Sequence, residues 1–561
     1  MLSGDTTTPR RIADTYVADL AVLDPLVSSS LGLREHEDGL PDLSPDGAAA
    51  QADLARRTLG LLDRCDAGGA VGLDDPVERR CAALLRDRLG VAVEAHDRGE
   101  HLRTVRNIFG PPQAVRSSFS LMPTATDDDW AAIARRLARV PAAYSSWTAS
   151  LDEGRGRGLL AAERQVATVV GQLDSWLDVG GRSWFHDLVA DGPAPLRADL
   201  ERGADAAAAG VASLRAFLVD TYLPATVGVP DAVGEDRYLF STRQVAGATI
   251  DPAETYAWGW EEFRRIDAEI RALADELVPG AGPVAAMRHL DEHGAAVEGV
   301  EEVRVWLQQM MDRAIDDLDG THFDIAPPLR RVEAMIAPPG SAAAPYYTRP
   351  SLGFARPGRT WLPTLGRTRF PVYDLVSTWY HEGVPGHHLQ LAQWVHRADE
   401  LSTFQVSVGS TSGATEGWAL YAERLMDELG FLGPEERIGY LDAQLMRAVR
   451  VVIDLGMHLG LRAPADSPVA PGEVWTPDTA RAFFNAHTGR SADFVDSEIV
   501  RYLGWPGQAI SYKIGERAWL AGRATARARH GEAFDLKAWH MAALGLGALG
   551  LDDLETELGA L

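Results

Sequence analysis

The chain has 561 residues, 46% of them apolar, enough for two to four average domains or one large helical body. With 54 Lys and Arg against 80 Asp and Glu it carries a formal charge of −26, which repels phosphate backbones and excludes nucleic acid as an expected partner. Its two cysteines, Cys65 and Cys81, are too few for the disulfide framework of a small secreted protein and are expected as reduced, buried thiols.

Residues 1–11 are polar, and residues 12–33 are broken by Asp14, Asp19, Asp24 and Pro25. Neither a signal peptide nor a membrane span is expected, no membrane partner follows, and the expected location is cytoplasmic. Residues 76–94, rich in Ala, Leu and Arg, predict a helix. A second begins at Thr126 and the acidic run Asp127-Asp128-Asp129, with Trp130, Ile133, Leu137, Val140 and Tyr144 recurring at helical spacing. Strand-like material is scarce and falls at residues 237–242 and 344–363. The latter stretch holds Tyr346, Tyr347 and Arg349 and reads as an edge strand or hairpin that can pair with an extended peptide. Between the two, Asp251-Pro252-Ala253-Glu254 supplies an N-cap, a first-turn proline and a capping-box Glu ahead of the stripe Phe263, Ile266, Ile270, Leu273 and Leu277. The expected fold is mainly α: a large two-lobed helical body around a deep cleft, with a small β-hairpin or edge-strand element. Residues 1–245 form the N-terminal lobe and residues 246–561 the C-terminal lobe that carries the metal-site motifs, within one continuous unit.

His381-Glu382-Gly383-Val384-Pro385-Gly386-His387-His388 concentrates metal ligands and a carboxylate in eight residues. A zinc that activates water needs about three protein ligands, an open position and a nearby base. The usual helical arrangement, His-Glu-x-x-His, places both histidines one turn apart on one face. Here the residue four after His381 is Pro385, which ligates nothing and disrupts a helix. On an undisturbed helix His387 would point about 240° away from His381, and His388 would share its face about 10.5 Å along the axis. A bulge or kink at Pro385-Gly386 would bring His387 into the second ligand position, with His388 as the alternate or as a substrate contact. The third ligand is expected in Thr415-Glu416-Gly417-Trp418-Ala419-Leu420-Tyr421-Ala422-Glu423. Glu416 and Glu423 share one helical face there, so one can bind metal while the other orients a ligand histidine.

These residues resemble a known family. The run His-Glu-x-x-Pro-Gly-His-His-Leu-Gln, then Glu-Gly-Trp-Ala-x-Tyr-x-Glu, then Pro506-Gly507-Gln508-Ala509-x-x-Tyr512-Lys513-Ile514-Gly515, resembles the bacterial domain-of-unknown-function family 885 over nearly the whole chain. That family is similar to gluzincin-type zinc metallopeptidases such as the thermostable carboxypeptidases and angiotensin-converting enzyme. The resemblance implies one Zn2+ per chain held by His381, His387 or His388, and Glu416, with Glu382 as general base. It implies that Tyr512 donates to the oxyanion of the transition state, where losing such a donor typically costs about 10²–10³ in rate. Arg501 and Lys513 are candidates to hold a substrate carboxylate, and the alternative for Arg501 is an ordinary surface residue.

Other motifs fail on context. Gly545-Leu546-Gly547-Ala548-Leu549-Gly550 has dinucleotide-loop spacing but no preceding strand and is expected as a helix-end turn. Gly409-Ser410-Thr411-Ser412-Gly413 puts Thr at the centre of a nucleophile-elbow pattern, which argues against a serine hydrolase. The expected function is a zinc-dependent hydrolase of peptide bonds, a carboxypeptidase or oligopeptidase acting on short peptides. The alternative is a catalytically inactive binding protein on the same fold.

Overall fold

Prolines at the first turn, where a missing N–H costs nothing, open helix after helix along the chain. The computed structural model describes residues 8–67, 75–178, 180–338 and 344–561, and the chain is 68% helical with a few short strands. Residues 1–7, the start of the polar N-terminal segment, lie outside the described residues. The chain divides into two units, Met1–Asp231 with Ser402–Val408, and Ala232–Leu401 with Gly409–Leu561.

The first unit contains α1 (Pro9–Leu23), α2 (Pro45–Ala67), α3 (Pro76–Asp97), α4 (Asp127–Gly156), α5 (Glu163–Leu177) and α6 (Arg197–Phe217). Thr126 and Asp129 close a capping box at the start of α4, satisfying backbone N–H groups that the helix leaves open. Ile133, Leu137, Val140 and Tyr144 then form its buried stripe, each contributing roughly 1.5–3 kcal/mol of hydrophobic stabilisation. Cys81 is buried and Cys65 half-buried, and both are free thiols. By length and composition the helical stretch Ala194–Thr226 is apolar enough to cross a membrane, with a mean hydropathy of 1.2, a property that buried core helices share. Its Leu200, Ala204, Ala207 and Val211 are buried in the apolar core shared with α4.

The second unit begins with α7 (Glu235–Ala246), where a strand was expected at residues 237–242. The aromatic and β-branched residues there invite extended chain, but Tyr238 and Thr242, one turn apart, are both fully buried, and packing of that face overrides local preference. In α8 (Pro252–Leu277) the Asp251 carboxylate accepts from the N–H groups of Ala253 and Glu254, and Phe263, Ile266, Ile270 and Leu273 are buried as their spacing predicts. After β1 (Ala296–Glu298) and α9 (Val300–Leu318) come β2 (Val332–Ile336), β3 (Tyr346–Thr348), β4 (Gly358–Leu362) and β5 (Arg369–Pro371). Strands β2, β4 and β3 form one sheet in that order, with β2 parallel and β3 antiparallel to β4, so Tyr346 and Tyr347 lie on an edge strand. Strands β1 and β5 pair separately.

Six helices then build the site: α10 (Val372–Glu382), α11 (His387–His396), α12 (Ser412–Glu428), α13 (Pro434–Leu459), α14 (Ala492–Gly504) and α15 (Ser511–His530). Helix α13 is buried almost along its full length and carries charge inside. Its Asp454 accepts from the Tyr238 hydroxyl at 2.7 Å and the Gly507 N–H at 3.0 Å, which ties α7 and the turn ahead of α15 to the same helix. Gly545 follows the helix Leu536–Leu544 as its C-cap.

Candidate metal centre

Helix α10 stops at Glu382, and residues 383–386 lead into α11, which starts at His387. The expected bulge is thus a full break: His381 ends one helix and His387 opens the next. The Val384–Pro385 peptide is cis. The Gly386 N–H donates to the Tyr380 carbonyl at 3.0 Å, so close that a Cβ at Gly386 would overlap the His381 carbonyl oxygen. From α12, Trp418 Nε1 donates to the carbonyls of Pro385 at 2.9 Å and Gly386 at 3.1 Å, pinning this loop to the helix that carries Glu416. On its other side α12 meets α15 where Gly417 lies against Gly515 with no room for a side chain.

These contacts bring three donors together. Nε2 of His381 and Nε2 of His387 each lie 3.3 Å from Oε2 of Glu416, and all three atoms fall within 4.8 Å of one another. The two imidazole rings are nearly perpendicular, with centroids 4.8 Å apart. Glu416 Oε2 is buried without a hydrogen bond to any described residue, as is one oxygen of Glu382. Two neutral-capable imidazoles and a carboxylate converging on one point are a donor set for a divalent metal.

Behind His381 stands Glu423, about two turns along the same face of α12 from Glu416. Its Oε1 lies 2.7 Å from His381 Nδ1, its Oε2 accepts from Ser377 Oγ at 2.7 Å, and Arg447 Nη2 is 3.3 Å from Oε1. A carboxylate there fixes the ring and leaves Nε2 free to ligate. Burial pushes the His381 pKa down, but Glu416 and Glu423 outweigh it and hold the group up at about 9. Burial opposes ionisation of Glu416 as well, yet His387 and His381 keep its carboxyl well below the usual range. Glu423 is likewise lowered, against burial, by Arg447 and His381. Glu382, 6% exposed, is pushed up by burial.

Tyr512 opens α15, and its ring lies 6.3 Å from the His381 ring, centroid to centroid, at an interplanar angle of 21°. Burial and the Glu416 charge raise its pKa, so the phenol keeps its proton. The guanidinium carbons of Arg450 and Arg447 sit 4.9 and 5.7 Å from the same ring.

His388 is turned away from the three donors. Its Nε2 donates to the Leu329 carbonyl at 2.7 Å, so Nδ1 is the acceptor for the Tyr347 hydroxyl at 2.8 Å. Fully buried, it is depressed to about 4 and stays neutral, with both nitrogens engaged. Tyr347 also lies against the His387 ring, 6.4 Å between centroids, while Tyr346 stacks on Trp361 instead. Two expected substrate contacts are engaged within the chain. Lys513 is fully buried among Glu516 at 2.5 Å, Gln444 at 3.0 Å and Glu262 at 3.1 Å. Arg501 is buried too, held by Glu498 at 2.6 Å and Gln508 at 2.7 Å, and is no surface residue. Arg447, Arg450 and Ser377 escaped the sequence reading. Their signal was present for the arginines: Arg447 and Arg450 stand in Ala448-Val449 and Val451-Val452-Ile453, where no face of the helix is polar.

Two solved structures resemble the chain over 98% of its length. One is described as a "putative lipoprotein" from Colwellia psychrerythraea, with a TM-score of 0.82, 21% identity and 98% of that chain covered. The other is described as a "putative lipoprotein of unknown function" from Shewanella oneidensis, with a TM-score of 0.70, 17% identity and 99% of that chain covered. At these identities the likeness is one of fold. The expectation of a cytoplasmic location is corrected by it, because chains of this fold are described as lipoproteins and the fold is not tied to the cytoplasm. No curated protein matches the sequence. The match that covers residues 25–558 is to the bacterial proteins of unknown function designated DUF885, and the chain belongs to that family.

Proposed function

We propose that the protein is a zinc-dependent hydrolase that cleaves peptide bonds in short peptides, with one ion per chain held by His381, His387 and Glu416. The observation that carries the reading is the 3.3 Å spacing of Glu416 Oε2 from both histidine Nε2 atoms. Ligands about 2.0–2.1 Å from a tetrahedral centre lie about 3.3–3.4 Å apart, which matches the spacing of Glu416 from each histidine. The ion, when bound, supplies Lewis acidity and makes a water molecule acidic near pH 7, roughly. The family that the three long motifs resemble is expected to be similar to gluzincin-type zinc metallopeptidases, which favours the same reading.

The chain's own groups divide the remaining work. Glu382, buried and raised in pKa, takes the proton of the attacking water and returns it to the leaving amine as the C–N bond breaks. Tyr512, kept protonated, donates a hydrogen bond to the oxyanion that the attack creates on the carbonyl. Glu423 holds His381 in orientation through Nδ1. His388, Tyr347 and the Leu329 carbonyl brace the start of α11 beside His387.

Glu382→Gln tests this reading, since it removes the base and leaves every ligand. The variant is expected to keep zinc and fold and to lose peptide cleavage by about 10²–10⁴. Wild-type protein that binds zinc and peptides but cleaves none across a broad screen would make it a binding protein instead.

A further inference from the structure

Arg447 is a buried cation without a hydrogen bond to any described residue. The residue is 7% exposed, its Nε is enclosed with no acceptor, and it pairs with Glu423 Oε1 at 3.3 Å, an oxygen already engaged by His381 Nδ1. A guanidinium offers five N–H donors in a planar fork shaped for a carboxylate. Its neighbours around Tyr512 are hydrogen-bonded, although Arg501 Nε is also enclosed without an acceptor. Arg450 donates to the Tyr502 hydroxyl at 2.7 Å and Glu498 at 2.6 Å, and Arg501 to Glu498 and Gln508. Asp442, the next buried carboxylate on α13, is held by Arg490 at 2.9 Å and the Gly489 N–H at 3.0 Å. Glu423 and Asp442 thus have other partners that share their charge, while the Arg447 side chain keeps 8% of its surface open beside Tyr512.

We propose that Arg447 anchors the free C-terminal carboxylate of the substrate, so that the centre removes one or two residues from the C-terminal end of short peptides. The inference rests on the hydrolase reading above and names its substrate class. One ion pair of 3.3 Å, one contact of 2.7 Å and the width of an imidazole separate Arg447 Nη2 from the ligating Nε2 of His381. That span is no more than about 8 Å, close to two residues of extended chain at about 3.5 Å each, which places the cleaved bond one or two residues from the anchored end. A charge-assisted, forked bond in a partly dry site discriminates strongly against a neutral end group.

The test compares N-acetylated short peptides with their C-terminal amides on the zinc-loaded full chain. Wild type is expected to favour the acid by about 10²-fold in kcat/KM, the scale of losing one partner of a buried charge pair. Arg447→Met should bring that ratio close to one with zinc still bound, and Arg447→Lys should leave an intermediate ratio, since it keeps charge but not the fork. Binding supplies a second readout: calorimetry should show 3-phenylpropionate binding at least about 10-fold tighter than 3-phenylpropionamide to wild type, a preference absent in Arg447→Met. Equal handling of acid and amide by wild type overturns the proposal, with no variant needed. So does an Arg447→Met that lowers both activities in step, because that is the mark of a counter-ion for Glu423 alone. A carboxylate preference in binding with no cleavage of either peptide sinks the hydrolase reading and leaves the anion subsite standing.

Discussion

Helix α4 in the first unit and helix α13 in the second are both long and well buried, yet they bury different things. α4 hides an apolar stripe and turns Arg135 and Arg139 outward to Asp38. Its enclosed charges are Asp129, which caps its own start, and Arg136, which bonds Ser29 and has no opening to solvent. α13 hides apolar residues on every side and with them Asp442, Arg447, Arg450, Asp454 and His458. An ordinary core helix gains nothing from such charges, since each costs several kcal/mol to desolvate unless paired. Charge retained inside a helix with no polar face sets α13, which lends Arg447 to the surroundings of the candidate metal centre, apart from a helix that buries a plain apolar stripe.

The sharpest break in that comparison is at the ligands. His381→Ala and Glu416→Ala should each abolish stoichiometric zinc binding, because two protein ligands remain, while His388→Ala should retain it. Metal analysis of the purified variants decides, and a Glu416 variant with full zinc content would remove the centre described here.

A smaller effect is expected from Asp454, whose carboxyl burial raises from 3.8 to about 7 against the bonds from Tyr238 and Gly507. The unfolded chain releases this proton near pH 3.8, and the native state holds it to about pH 7. Its contribution to stability is therefore complete below about pH 4, falls as pH rises, and is lost above about pH 7, a change of about 4 kcal/mol. Urea unfolding of wild type and Asp454→Asn across this range should show a difference that varies with pH by that order. A constant offset between the two would refute the assignment.

In α4 the corresponding change acts on stability alone. Leu137→Ala, at a fully buried position, should cost about 3 kcal/mol through lost transfer energy and the cavity left behind. Its zinc content should equal that of wild type, and a drop in metal would show that the two regions are less separate than their interiors suggest. Smallest is Tyr512→Phe, expected to slow kcat by about 10², equivalent to about 2.7 kcal/mol, with little change in peptide binding. Single-turnover measurements separate the two quantities.

The centre was largely legible because its residues are chemically loud. His381, Glu382, His387 and Glu416 stand in two short runs, and the helical face shared by Glu416 and Glu423 follows from a seven-residue spacing. The caps at Thr126 and Asp251 and the stripes behind them were legible for the same reason, since they are local. Where the reading failed, partners distant in sequence decided. Residues 237–242 carry aromatics that a strand favours, but Tyr238 packs into a helical core and bonds Asp454, 216 residues away. Lys513 and Arg501 read as cations available to a substrate carboxylate, but Glu262, Glu498 and Gln508 enclose them. Choosing between His387 and His388 required knowing that the Leu329 carbonyl and the Tyr347 hydroxyl occupy His388, and neither contact has a local signature.

The glycines beside the ligands determine how a map of single substitutions would look. Gly386, Gly417 and Gly515 ligate nothing, yet a side chain at the first meets the His381 carbonyl, and at the other two it drives apart the helices bearing Glu416 and Tyr512. Ranked by activity alone, these three would score beside His381 and Glu382, and the apparent catalytic apparatus would be drawn too wide. Ranked also by retained zinc, they would separate from Glu382 and Tyr512 and fall with the ligands, which sorts residues that perform a step from backbone that only keeps the performers in register.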